Sequence, residues 1–298
     1  MKQYFVWLAK LLTLVVIFFV VVPLLMGGVL LATQKEMGSV SPEGDKLVAV
    51  IELNGIIESG KDIVEELHKQ AADDKVKGIV LRINSPGGAV GPSQDIFSTV
   101  LKLKKKKPIV ASMGSLAASG GLYSALGASK IYAQPGTLTG SIGVIMQLPN
   151  FTKIADKVGF EMVTVKSGKF KDVGNSFREM TPEDRAFLEN TIARVQDEFV
   201  QAVATGRNLS VEKVRTFADG RVILGSQAKE LKLIDEIGDV YDAARAVFDL
   251  RNEPLKSEEE PNIFYPMDKF GQFKRFFESI SSIPQLFSRS MELRYMMP

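Results

Sequence analysis

Gly78-Ile79-Val80-Leu81-Arg82-Ile83-Asn84-Ser85-Pro86-Gly87-Gly88 sets an aliphatic run directly before a Pro-Gly-Gly turn. A short apolar run closed by turn residues predicts a strand buried on both faces, as in a parallel sheet. Residues 47–53 form a similar run upstream, and residues 108–112 form another downstream. Helical patterns at residues 62–72 and 93–106 separate the three. That order predicts stacked βαβ units in an α/β fold, with right-handed crossovers.

Working outward, residues 130–133, 141–147 and 161–165 read as further strands. Thr181-Pro182-Glu183-Asp184 opens a long helix over 181–205, with Thr181 as N-cap, Pro182 in the first turn and two acids at the positive end of the dipole. Shorter helices are expected at 210–217 and 239–250. Lys104 to Lys107 lie at a helix end, where cations complement the dipole and stay solvated.

The N-terminus carries a different signal. Residues 11–32 hold no charged side chain, and at ~1.5 Å rise per residue such a run spans a hydrocarbon core of ~30 Å. It is too long for a simple signal-peptide core, and Leu30 stands where a cleavage site needs a small residue. An uncleaved N-terminal transmembrane helix is the expectation. Lys2 and Lys10 precede it, whereas acids accompany Lys35 beyond it. The positive-inside rule then gives a single pass of the cytoplasmic membrane, with the large domain on the extracytoplasmic side.

The expected organisation is a cytoplasmic tip and anchor over residues 1–33, a linker over 34–46, a globular α/β domain over 47–250, and a C-terminal linker and amphipathic tail over 251–298. In that tail Phe273, Phe276, Phe277 and Ile280 form one helical stripe before Pro284. The 298 residues, 45% of them hydrophobic, suffice for one sizeable core plus these additions.

Chemistry narrows by elimination. The net charge of +2 draws no nucleic acid, and the absence of cysteine removes thiolate nucleophiles and thiolate zinc sites. The one histidine, His68, reads as part of an exposed helix face, so a Ser-His-Asp triad has no base. No phosphate-binding GxxxxGK[ST] loop or dinucleotide-binding GxGxxG turn is present. Three small-residue segments remain: Asn84 to Gly88, Ser112 to Gly121, and Thr139 to Gly143. Any one of them alone would be read as close packing. Together they offer an unencumbered serine, Ser119, and glycine N–H groups for an oxyanion. Without histidine the base is a carboxylate or one of many lysines, and spacing does not choose among them.

The segment Ser112-Met113-Gly114-Ser115-Leu116-Ala117-Ala118-Ser119-Gly120-Gly121 resembles the nucleophile segment of the bacterial signal peptide peptidase family. Arg82 to Gly88 resembles that family's oxyanion loop, and Thr139-Gly140-Ser141-Ile142-Gly143-Val144 its lysine-positioning serine. Lys166-Ser167-Gly168-Lys169-Phe170-Lys171-Asp172 resembles its lysine-bearing segment, while Arg221 to Gly225 and Leu233 to Gly238 match later structural segments. The resemblance covers roughly residues 47–250 and implies a Clp protease and crotonase type of fold.

It further implies Ser119 as nucleophile, Lys171 as base, Gly88 as oxyanion donor and Ser141 as the residue that positions the lysine, with no metal or organic cofactor. The implied substrates are remnant signal peptides and other unfolded hydrophobic peptides at the membrane. The implied assembly is a homo-oligomeric ring with active sites shared between subunits. A crotonase-like acyl-CoA enzyme and a non-catalytic membrane scaffold are the competing readings, and the serine with its lysine argues against both.

Overall fold

The computed structural model describes residues 2–17, 46–266 and 294–296. Two compact units divide the chain, Met1–Gly44 and Asp45–Pro298. In the first, α1 (Lys2–Val16) is helical. Among the described residues no helix is long and apolar enough to cross a membrane. Most of the expected span, 11–32, lies outside the described residues, as do nearly all of the linker and the phenylalanine stripe.

The second unit begins with β1 (Leu47–Asn54), α2 (Lys61–Ala72), β2 (Val76–Ser85), β3 (Gly87–Ala89), α3 (Val90–Leu103) and β4 (Ile109–Ala117). Then come α4 (Gly120–Ala125), β5 (Lys130–Ala133), β6 (Leu138–Gly140), α5 (Thr152–Val158), α6 (Pro182–Arg207) and α7 (Val211–Arg215). The remaining elements are β7 (Val222–Leu224), α8 (Gly225–Glu230), β8 (Glu236–Ile237), α9 (Val240–Leu250), β9 (Asn262–Phe264) and β10 (Arg294–Met296).

The expected parallel order is present: β1 pairs with β2, and β2 with β4. Beyond β4 the sheet forks. Residues 110–112 of β4 pair with β5, whereas Leu116 pairs with β6, which itself runs antiparallel to β7. Past residue 250 the sheet gains another parallel edge strand, β9, against β1. Residues 141–147 and 161–165 are not strands: β6 lies just before the first, which carries only a single bridge at Ile145, and residues 161–165 have no regular structure.

Alternation along β1 assigns its two faces. Ala49, Ile51 and Leu53 enter the larger core, with Ile79, Leu81 and Ile83 of β2 and with residues of α2, α3, α4 and α6. Val48, Val50 and Val80 face the other way, onto Ala243, Ala244, Val247 and Phe248 of α9. Burial of β1 and β2 on both faces explains why they read as nearly unbroken apolar runs. Gly78 is needed for this contact, because a Cβ there would come within 2.3 Å of Val247. An Asp239–Asp242 capping box starts α9.

The start signal of α6 also holds, as a capping box between Thr181 and Asp184. The lysine run is used differently from the expectation. Lys104 donates to the carbonyl of Ala128, and Lys107, itself buried, donates to the carbonyls of Gln70 and Asp73 at the end of α2. The ammonium of Lys107 thus satisfies orphan carbonyls of a neighbouring helix, which a solvated cation would not do.

Phe248 is 1% exposed and occupies the layer between α9 and the sheet. Phe248→Ala should lower the unfolding free energy by about 3–5 kcal/mol, as for other large core truncations. Urea titration of the purified protein measures it, and a loss under ~1 kcal/mol would mean that α9 is not integral to the core.

Candidate active site

At the end of β2, Pro86 is followed by the short strand β3. The carbonyl of Gly87 accepts from Ile57 N–H at 2.9 Å, and Ala89 N–H donates to the Ile57 carbonyl at 2.8 Å. Alternate residues of a strand turn their polar backbone groups to opposite edges. Gly88, between these two, therefore directs its N–H and C=O away from Ile57. On that side lies β10, antiparallel, with Tyr295 opposite Gly88. Position 88 is also sterically committed, because a Cβ there would lie 2.1 Å from the Ile57 carbonyl oxygen.

Ser119 stands between β4 and α4. Its φ of 53° and ψ of −115° are unusual for a residue with a side chain, and such strain persists only where the surroundings impose it. Three hydrogen bonds do so: Ala118 N–H to Ser85 carbonyl at 3.1 Å, Ser119 N–H to Gly140 carbonyl at 2.9 Å, and Tyr123 N–H to Ser119 carbonyl at 2.8 Å. Gly121 passes close to the Ser85 carbonyl, 2.9 Å from where a Cβ would sit, and α4 packs on β3. The small residues of the nucleophile segment are thus a packing solution that brings the serine turn against the glycine strand. The Ser119 Oγ is fully buried and has no hydrogen-bond partner among the described residues.

The Thr139-Gly140-Ser141 segment closes another side. Thr139 Oγ1 donates to the Ala117 carbonyl at 2.7 Å, and Ser141 N–H donates to the Arg221 carbonyl at 2.7 Å. Ser141 is buried, with φ of 50°. Thus Ser119, Gly88 and Ser141 are all held in one region by backbone contacts.

Lys171 is not brought to Ser119 within the chain. It is exposed, in a turn-rich stretch after α5. Its neighbours differ from it: Lys166 pairs with Asp172 at 2.5 Å and Lys169 with Glu183 at 2.6 Å, while the Lys171 ammonium has no ion pair among the described residues. His68 is exposed on α2, as expected.

A clamp anchors the lysine segment. Arg178 donates from Nε to Asp172 Oδ2 at 2.9 Å and from Nη1 to Asp184 Oδ2 at 2.5 Å, the latter being the capping-box residue of α6. Sequence reading missed this role. Asp172 lies in a recognised motif, but nothing local to Arg178 marks it as joining two aspartates six residues away on either side.

A serine on a strained strand-to-helix turn, set against a glycine strand edge in a forked parallel sheet, defines a serine hydrolase on a Clp protease-like α/β fold. Comparison with known proteins agrees. The profile of peptidase family S49 matches residues 101–252, and that of Clp protease matches residues 49–138. A provisionally assigned protease of Synechocystis is 44% identical over 200 residues, 66% of this chain and 72% of its own length. A provisionally named signal peptide peptidase of Enterococcus faecium is 38% identical, over 61% of this chain and 54% of the relative. The chloroplastic serine protease SPPA of Arabidopsis thaliana is 33% identical, over 66% of this chain but 29% of that protein. The chain belongs to peptidase family S49 and is a serine peptidase, which removes the acyl-CoA and scaffold readings.

Hydrogen bonds from Arg178, then Lys166, lower the carboxyl of Asp172 to about 2 from an ordinary 3.8. Asp184 is lowered too, by Arg178 and the Thr181 backbone. A carboxylate with a lowered folded pKa adds stability that is complete above ~4 and is lost as pH falls through the folded value. Arg178→Ala should therefore move acid loosening of residues 166–176 upward, from near pH ~2 toward ~4. Amide exchange across an acid series reads it, and superimposable profiles for the two proteins would dismiss the clamp.

Proposed function

We propose that this chain is a membrane-anchored endopeptidase that hydrolyses extended hydrophobic peptides, remnant signal peptides among them, with Ser119 as nucleophile and Lys171 of an adjacent subunit as base. The observation that carries the reading is the buried Ser119 Oγ, unpartnered among the described residues, on a turn packed against the strand that holds Gly88, in a chain whose own Lys171 stays exposed and without an ion pair among those residues. A buried hydroxyl without a partner costs free energy unless something completes it.

A neighbouring copy would satisfy both residues. The stretch that carries Lys171 also exposes large apolar side chains, including Val163 at 79% and Val165 at 96%. Apolar surface of this kind supports a subunit contact, and a closed ring would repeat it without leaving an open end. Desolvation in such a contact lowers a lysine pKa.

In the proposed mechanism neutral Lys171 accepts the Ser119 proton as Oγ attacks the scissile carbonyl, and Ser141 holds the amine. Gly88 N–H faces the developing oxyanion, a type of contact worth ~3–4 kcal/mol where it has been removed in other enzymes. The lysine then protonates the leaving amine, and it activates water to hydrolyse the acyl-enzyme. Peptides pair through their backbone, so many apolar sequences would be accepted.

Ser119→Ala and Lys171→Ala should each reduce peptide hydrolysis by at least ~10⁴-fold, with the double variant no worse, because nucleophile and base act as one unit. Mixing the two inactive variants, unfolded and reassembled together, should restore part of the activity. Mixed oligomers shown to contain both chains yet lacking activity would reject the shared site.

The charge asymmetry around residues 11–32 supports an extracytoplasmic catalytic domain. A reporter fused after Pro298 should be active only outside the cytoplasmic membrane, and activity inside would reverse the orientation.

A further inference from the structure

The segment that carries Ser141 is held by backbone groups on both sides. The Gly140 carbonyl accepts from Ser119 N–H, Ser141 N–H donates to the Arg221 carbonyl, and the Ile142 carbonyl accepts from Gly220 N–H at 3.1 Å. Residues 141–142 and 220–221 thereby continue the antiparallel pairing of β6 with β7. The two segments approach closely, since a Cβ at Gly143 would lie 3.3 Å from the Gly220 Cα. A side chain from α6 joins them. Gln196 donates from Nε2 to the Ile142 carbonyl at 3.2 Å and to the Ala218 carbonyl at 2.9 Å.

We infer that Gln196 is a positioning residue for peptide hydrolysis: by bridging residues 142 and 218 it fixes the backbone on which Ser141 is held. The inference rests on the reading of Ser141 as the residue that holds the lysine amine. The orientation of the Gln196 amide is determined by its partners, because turning it over would set Oε1 against two carbonyl oxygens. Its Oε1 is buried and has no partner among the described residues, so the side chain forgoes one hydrogen bond while making these two.

Ser141 needs such support. Its φ of 50° is a conformation that persists only where the surroundings impose it. The fully buried Ile142 side chain anchors the next residue in the core, and Gln196 anchors that residue's carbonyl. Without the bridge the paired segments gain slack beside Ser141, and a displacement of ~1 Å at a positioning group can cost ~10²-fold in rate.

Kinetics on the full-length chain, with an extended fluorogenic hydrophobic peptide, tests this. Gln196→Leu keeps most of the volume and removes both donors, while Gln196→Glu keeps the shape and sets an oxygen where Nε2 donated. Each should lower kcat at least ~10-fold with KM within ~2-fold, and should move the pH profile of kcat in the same direction as Ser141→Ala. In a Ser141→Ala background the same substitutions should change kcat by less than ~2-fold, because residues that act through one group are not additive. A residue that only supports the fold would lower kcat equally in both backgrounds.

The second readout needs no catalysis. In the Ser119→Ala background, Gln196→Leu should speed amide exchange at Ser141 and Gly220 at least ~10-fold while the β1 and β2 amides remain as before. Equal losses of kcat in the two backgrounds, an unchanged kcat, or unchanged exchange at Ser141 and Gly220 overturns the inference. Full kcat in Ser141→Ala alone would instead remove Ser141 from the mechanism and the inference with it, an outcome visible without any change at Gln196.

Discussion

The site depends on a backbone-to-backbone approach that only small side chains permit. Ala118 and Gly121 contact the Ser85 carbonyl, Ser119 N–H reaches the Gly140 carbonyl, and Gly88 lies on the backbone of Ile57. Larger residues at Gly88 or Gly121 would collide with carbonyl oxygens, which have little room to yield. These contacts hold Ser119 in a strained conformation and place it, the glycine strand and Ser141 in one region. The rest of the sheet is the rigid frame that makes the approach reproducible.

That frame is stabilised from both faces. The α9 layer covers Val48, Val50 and Val80, while α2, α3, α4 and α6 bury the opposite side. Polar clamps tie the elements at their ends. Arg207 makes a two-pronged pair with Asp235, whose Oδ2 also accepts from Ile131 N–H at 2.7 Å, joining the end of α6 to β5. Lys107 closes α2, and Arg178 fastens the lysine segment to the start of α6. The Ser119 turn is thus rigidly framed by the sheet, while the stretch that carries Lys171 is exposed and clamped at Asp172.

Much of the sheet was legible because periodicity records burial. Apolar runs at β1, β2 and β4 reflect strands covered on both faces, and the Thr181-Pro182 start of α6 is a local hydrogen-bonding signal. The failures at 141–147 and 161–165 have one origin. Those residues are largely apolar, but among the described residues they form no ladder beyond a single bridge at Ile145, and an apolar run alone does not distinguish a strand from a surface awaiting a partner. Strands β6, β7 and β8 have two or three residues each, too short to carry a period.

Residue types alone narrowed the chemistries open to this protein: with no cysteine a thiolate nucleophile is excluded, and with a single histidine so is a metal site built on several. A resemblance to a known family pointed to Ser119 and Lys171, and local sequence set the strands and the caps. Tertiary structure decided the rest, because hydrogen bonds between residues far apart in sequence leave no local trace. It alone turned the N–H and C=O of Gly88 away from Ile57 and buried the Ser119 hydroxyl without a partner among the described residues. It also left Lys171 facing outward and set residues 294–296 against residues 87–89, a pairing that neither segment encodes on its own.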